Sequence, residues 1–286
     1  MTVSNWIRLA EQRLAKAGLE SSRLEGELLL AHVLRLPRLR LVLEGQRELS
    51  VEEFEVVEKL LERRRRRVPS QHLLGTAAFL EYELQVNTSV LIPRPETEGL
   101  AILGIAELRR RMPGQRTVTV LDFGTGSGAL ILSMIGAVEG IEAHALDISV
   151  EALAVARENA RRLGFENRVQ FHLSDRFSGL PDGLVFDLIL ANPPYIPTGE
   201  ISDLAPEVRD FDPHLALDGG LDGLDFYRYL AIEGKGRLIS GGCLMMEMGD
   251  GQRATIAEIF GQIGWSVESV DKDLSGRDRV LIVRRD

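Results

Sequence analysis

Val118-Thr119-Val120-Leu121-Asp122-Phe123-Gly124-Thr125-Gly126-Ser127-Gly128 decides the fold. A short apolar run enters a loop with glycine at alternate positions, and Ala129-Leu130-Ile131-Leu132 follows at once. The run reads as a buried strand, and the loop opens a helix. Glycines there let the backbone approach a ligand closely, with unpaired amide groups near it. Alone, the loop is a weak signal: phosphates, flavins and nicotinamides use similar turns, and a turn with no ligand is also open.

Working outward, Asp147 ends the next predicted strand at 142–147. That is the position, about 20 residues past the loop, where an acid binds ribose hydroxyls. It also reads as a helix N-cap, a role Ser149 could fill equally well. Asp122, just before the loop, would be awkward beside a pyrophosphate but suits the positively charged end of S-adenosylmethionine.

Further on, Phe186-Asp187-Leu188-Ile189-Leu190-Ala191 reads as another buried strand, closed by Asn192-Pro193-Pro194-Tyr195. Both motifs then sit at the carboxyl edge of one sheet, where open α/β sheets bind ligands. An amide or exocyclic aromatic nitrogen is a poor nucleophile because its lone pair is delocalised. An Asn oxygen and a backbone carbonyl can each accept one hydrogen of such an NH2 group. Two prolines remove backbone donors and stiffen the turn, holding the carbonyl in place, and Tyr195 can pack flat on a planar target. Loop and tetrapeptide together point to methyl transfer onto a planar nitrogen, driven by orientation and electrostatic positioning. The residues expected to act on the substrate are Asn192, Pro193, Pro194 and Tyr195. Those expected to hold the cofactor are Gly124, Thr125, Gly126, Ser127, Gly128, Asp147, Arg176 and Asn192. Asp175-Arg176, past the predicted strand at 168–173, reads equally as an adenine contact and as a surface loop.

Strands are expected at 118–122, 142–147, 168–173, 186–191, 242–248, 265–270 and 280–284, with helices in most of the gaps. That alternation implies a parallel sheet covered on both faces. The last two strands are joined by too short a loop for a crossover, so they should pair antiparallel at the sheet edge. The first seventy residues are helical in pattern instead. Trp6, Leu9, Ala10, Leu14 and Ala17 recur at helical spacing, with Gly18 as the stop. Ser21 or Ser22 can cap a second helix with Leu24, Leu28, Leu29, Ala31 and Val33 inward, ending at Pro37. A short helix over 38–44 follows, and Ser50 with Glu53 forms a capping box opening a fourth. After Val68-Pro69, residues 79–86 alternate as a half-exposed strand or hairpin arm. A helix is expected over 97–111, and Pro113-Gly114 marks the change to βα alternation. The expected division is a helical domain at 1–73, a hairpin and connecting helix at 74–112, and a cofactor domain at 113–286.

The chain of 286 residues has 44% hydrophobic and 27% charged residues, as an ordinary globular protein does. A formal charge of −9 argues against general affinity for nucleic acid, where a basic face would be expected. Arg63 to Arg67 form a local basic run, read either as the solvated end of a helix or as a docking patch; charge patterning favours the first. No apolar stretch approaches the roughly 18 residues of a membrane span. No basic region followed by an apolar one opens the chain, so a secretory leader is not expected. The lone Cys243 allows no internal disulfide and reads as a small buried hydrophobe. The cytoplasm is the expected compartment. The five histidines show no metal-ligand spacing, so no metal is expected.

At these residues the chain closely resembles the peptide chain release factor glutamine methyltransferases, over nearly its full length. The likeness includes the leucine-rich second helix and Leu91-Ile92-Pro93-Arg94-Pro95-Glu96-Thr97-Glu98. It continues through the glycine loop, Asn-Pro-Pro-Tyr, Glu207-Val208-Arg209, Gly219-Gly220-Leu221-Asp222-Gly223-Leu224, Glu247-Met248-Gly249 and Gly276-Arg277-Asp278-Arg279-Val280. The resemblance implies a Rossmann-like, seven-stranded S-adenosylmethionine-dependent methyltransferase fold with a small N-terminal helical bundle. It implies S-adenosyl-L-methionine held by Gly124 to Gly128 and Asp147, with Asn192 at the boundary of cofactor and substrate. The target would be the glutamine of the Gly-Gly-Gln loop of a release factor, docked by the helical domain, with no nucleic acid as substrate. Two positions depart from the family pattern: Arg176 where many relatives carry Trp, and Asp212 where they tend to have Glu. The rival activities are glutamine methylation of a ribosomal protein and adenine-N6 methylation of DNA or RNA. The second should add a basic target-recognition region and a way to flip the base.

Overall fold

The computed structural model describes residues 1–112, 117–273 and 275–286, so the expected break at Pro113-Gly114 lies outside the described residues. The chain divides into two compact units: Met1–Thr76 with Ala205–Phe211, and Ala77–Leu204 with Asp212–Asp286.

The first unit is built from α1 (Val3–Lys16), α2 (Ser22–Leu34), α3 (Val51–Arg65) and α4 (Ser70–Leu74). Thr2 caps α1 through its hydroxyl, and the Ser50–Glu53 capping box opens α3 as the sequence predicts. Val3, Trp6, Ala10, Leu14, Leu29, Leu30, Val57 and Leu61 form its core. The inward face of α2 differs from the expectation: Leu30 is fully buried and Leu24 is 42% exposed. The packing explains it, since a Cβ at Gly26 would lie 3.0 Å from the Ala10 Cβ. The two helices approach at Gly26, and that contact turns Leu24 outward. The expected helix at 38–44 is a 3-10 turn over Arg38–Val42 that buries only Leu41.

The second unit opens at Ala77 within a hairpin, β1 (Thr76–Phe79) and β2 (Tyr82–Gln85), so the alternating stretch at 79–86 is one arm and the turn of that hairpin. Then follow α5 (Pro95–Arg111), β3 (Val118–Phe123), α6 (Ala129–Ala137), β4 (Ile141–Asp147), α7 (Val150–Arg162), β5 (Val169–Leu173) and β6 (Phe186–Ala191). After a long loop, whose one-turn α8 (Pro206–Arg209) belongs to the first unit, come α9 (Asp225–Glu233), β7 (Leu238–Glu247), α10 (Arg253–Gln262), β8 (Ser266–Lys272) and β9 (Asp278–Arg284).

The seven-stranded sheet runs β5-β4-β3-β6-β7-β9-β8. β9 is antiparallel to both neighbours, inserted between β7 and β8, so β8 alone forms that edge. Successive residues of β6 feed opposite faces, as strand pleating requires. Leu188 and Leu190 pack in the core under α5 and α6, whereas Ile189 and Ala191 pack in the core with Tyr227, Leu230 and Phe260. With both faces covered, β6 is buried along its whole length. The chain order reverses between β3 and β6, which makes their carboxyl ends the topological switch point.

Candidate active site

At that switch point a cavity of about 240 Å³ opens between the loop after β3 and the loop after β6. Gly124, Thr125, Gly126, Ser127, Asp147, Arg176, Asn192, Pro193 and Pro194 line it. Gly128 and Tyr195 do not. Gly124 and Gly126 hold φ of +75° and +54°, a region costly for side chains, and a Cβ on either would project into open space. Gly128 serves packing instead, since its Cβ would stand 3.0 Å from Leu132 and 3.4 Å from Ala156.

Acids brace the loop from two sides. Asp122 lies beneath it, fully buried and off the cavity wall. It accepts the Thr125 hydroxyl at 2.7 Å and the Ile131 amide at 3.3 Å, and burial pushes its carboxyl up to about 7. Asp147 lies on the wall, accepting the Gly126 amide at 2.9 Å and the Ser149 amide at 2.9 Å. The helix cap is supplied by Ser149, which accepts from the Ala152 amide, so Asp147 keeps lone pairs for a ligand. Burial raises its carboxyl above the usual range.

Across the cavity, Asn192 donates through Nδ2 to Thr97 Oγ1 at 3.2 Å, and Thr97 donates to the buried Glu247 at 2.7 Å. Behind the tetrapeptide runs Gly219-Gly220-Leu221-Asp222-Gly223-Leu224. A Cβ on Gly219 would sit 2.8 Å from the Pro194 carbonyl oxygen and 2.9 Å from Tyr195 Cα. Ile196 accepts from the first amide of that run, Gly219, and donates to the carbonyl of Leu217 just before it. Tyr195 is half-buried against the core, its carbonyl accepts Gln252 Nε2 at 2.9 Å, and burial pushes its phenol up to about 12. Arg94 lines the cavity and donates to the buried Asp212 at 2.5 Å.

Arg176 stands at φ +55°, its guanidinium 4.5 Å from the Tyr229 ring centroid and 5.5 Å from that of Phe226. Arg176 and Phe226 both reach the cavity. Sequence reasoning passed over Thr97, Glu247, Arg94 and Asp212 as functional positions. The signals for them were the family-like residues at Pro93 to Glu98 and at Glu247 and, for Asp212, its departure from the family pattern. His144 and His172, far apart in sequence, stack on neighbouring strands with ring nitrogens 3.0 Å apart. Among the described residues no group of acids, His and Cys could hold a metal ion.

Seven strands with one reversed near the edge, a glycine loop at the switch point and an acid ending the next strand define a Rossmann-like S-adenosylmethionine-dependent methyltransferase. The wall fits that cofactor: side-chain-free space over Gly124 and Gly126, and an acid beside it with free lone pairs. Solved structures agree on the fold. A methyltransferase from Pyrococcus furiosus matches with a TM-score of 0.52 and 19% identity, over 73% of this chain and 91% of that one. The hMettl16 catalytic domain in complex with the MAT2A 3'UTR hairpin 6 matches with 0.54 and 16%, over 70% and 74%. A family model described as the PrmC N-terminal domain matches residues 5–75, and one described as a methyltransferase domain matches residues 115–219. The release factor glutamine methyltransferase of Caulobacter vibrioides is 40% identical, over 96% of this chain and 93% of that protein. The enzyme of the same name from Deinococcus radiodurans is 40% identical over 100% and 99%. The chain belongs to the release factor glutamine methyltransferase family. It is a methyltransferase that uses S-adenosylmethionine.

Proposed function

We infer that the protein methylates the side-chain amide nitrogen of a glutamine in peptide chain release factors, the glutamine of their Gly-Gly-Gln loop. The observation that carries this reading is the state of the Asn192 amide on the cavity wall. Its Nδ2 is committed to Thr97, which leaves Oδ1 as the acceptor.

When bound, S-adenosylmethionine supplies an electrophilic methyl group on a sulfonium. Gly124 to Ser127 and Asp147 would hold it, the acid taking the ribose hydroxyls. Arg176, its guanidinium clamped against Tyr229 and Phe226, would meet the adenine. Asn192 Oδ1 accepts one hydrogen of the target NH2 group and a backbone carbonyl of the proline pair accepts the other. These two contacts turn the nitrogen lone pair toward the cofactor side of the cavity. They strengthen as positive charge develops on nitrogen, so the gain falls in the transition state. Forming the N–C bond would break the methyl–sulfur bond, leaving a neutral thioether on the spent cofactor, and the nitrogen would release one of its two hydrogens as a proton to solvent. The helical unit contributes no wall residue to this cavity, and we assign it the docking of the protein substrate. Release factors work in the cytoplasm, which this reading makes the place of action; among the described residues no helix is long and apolar enough to cross a membrane.

The test is methyl transfer from labelled S-adenosylmethionine to a release factor, to its Gly-Gly-Gln→Gly-Gly-Asn variant, and to adenine-containing DNA and RNA, followed by peptide mass mapping. Label confined to the Gly-Gly-Gln glutamine supports the assignment. Label on nucleic acid with none on the protein overturns it.

A further inference from the structure

A primary amide has two nearly isosteric ends, and only one suits the task assigned to Asn192. Resting on that assignment, we propose that Thr97 and Glu247 are positioning residues that fix the orientation of the Asn192 amide through a directed hydrogen-bond relay.

The direction follows from counting protons. Thr97 has one hydroxyl hydrogen, and it goes to Glu247 Oε2 at 2.7 Å. Oγ1 is then left with lone pairs alone on its other side, so it can only accept. Asn192 must present Nδ2 to it, as it does at 3.2 Å, and Oδ1 is the end left over for the substrate. An ionised carboxylate accepts only, which makes the far end of the relay one-way. The three residues come from the start of α5, the end of β6 and the end of β7, so packing of the sheet core holds them in line. Thr97 and Glu247 are buried, at 5% and 1% exposure, which keeps water from offering the amide a competing partner.

Protonation of Glu247 would remove this directionality. Burial pushes its carboxyl up to about 6, with Thr97, Arg279 of β9 and Tyr195 favouring the charged form and Glu96 of α5 opposing it. Tyr227 of α9 faces it too, its hydroxyl donating to the Glu247 carbonyl at 2.8 Å. A protonated Glu247 can donate to Thr97, freeing the Thr97 hydrogen for Asn192 Oδ1 and turning the wrong end of the amide to the substrate.

The experiment measures kcat and KM on a release factor, together with calorimetric affinity for S-adenosylmethionine, in full-length variants. Thr97→Val removes the hydroxyl at constant volume and should lower kcat about tenfold to a hundredfold while cofactor affinity stays within about threefold. Thr97→Ser should restore kcat to within about threefold of the parent, because the hydroxyl and not the methyl is at issue. Adding Thr97→Val to Asn192→Ala should slow the enzyme no further, since the two act as one unit. The fall in parental kcat below about pH 6 should be absent in Glu247→Gln, which cannot ionise. A parental kcat in Thr97→Val, equal losses in Thr97→Val and Thr97→Ser, a further slowing in the double variant, or an unchanged acid limb in Glu247→Gln would each overturn the relay. A normal kcat in Asn192→Ala removes the underlying assignment; a slow Asn192→Ala beside a normal Thr97→Val removes the relay alone.

Discussion

Asn192 makes one side-chain hydrogen bond on the cavity wall, and its worth depends on when in the reaction its other end is used. A contact to a nitrogen gaining charge acts mainly on the transition state. Asn192→Ala should therefore lower kcat by about 10²-fold or more, on the scale of losing one preorganised polar contact. Calorimetric affinity for S-adenosylmethionine should fall much less, because the glycine loop and Asp147 remain. Equal losses in both would place Asn192 in cofactor binding. Gly126 is the converse case. With φ at +54° and its missing Cβ directed into open space, a β-branched side chain is strained and occupies the cofactor's side of the cavity. Gly126→Val should abolish cofactor binding by calorimetry with the helical circular dichroism unchanged, and retained affinity would refute that placement.

Among the elements, the end of α3 separates residues that look alike in sequence. Arg66 has a side chain 76% exposed and pairs with Glu62 one turn back, the solvated helix end that charge patterning favours. Arg64 has 6% exposure and donates to Glu25 and Glu207, and Arg67 pairs with Glu207 as well. Within the first unit these arginines tie the segment Ala205–Phe211 to α2 and α3, so part of the basic run is internal structure, neither solvated face nor docking patch. Breaking a buried pair strands its partner, so Arg64→Ala should cost about 3 kcal/mol in denaturant unfolding. Arg66→Ala should change stability by less than about 0.5 kcal/mol. Similar small effects from both would remove the distinction.

For the whole molecule, Asp122 makes the pH dependence of stability a test of burial. Its folded value of about 7 lies far above the roughly 3.9 of an unfolded chain. The folded state therefore holds the extra proton between those values. The stability it contributes is full below about pH 4 and is lost as pH rises toward 7. Asp122→Asn keeps an acceptor for Thr125 and cannot ionise. It should melt higher than the parent at pH 8, with the difference vanishing near pH 4. A variant melting lower at pH 8 would show that the charge is welcome there. On the same scale, deleting residues 1–73 should leave calorimetric cofactor binding intact and lower kcat/KM for an intact release factor at least about tenfold. An unchanged kcat/KM would end the docking assignment.

Local pattern in the sequence determined most of the strands and helices, because the alternation of short apolar runs with amphipathic stretches depends only on neighbours in the chain. The glycine loop and Asn-Pro-Pro-Tyr were legible for a related reason: a tight ligand-facing turn needs its special residues contiguous. Periodicity misjudged α2, where five apolar candidates offered several inward faces and the contact between Gly26 and Ala10 chose one. It gave no sign that β9 lies between β7 and β8, since strand order depends on which edges meet. Nor could it join Thr97 to Asn192 across 95 positions or to Glu247 across 150. A hydrogen bond needs its atoms within about 3 Å, and over such separations only the packed sheet, with α5 laid across it, brings them that close.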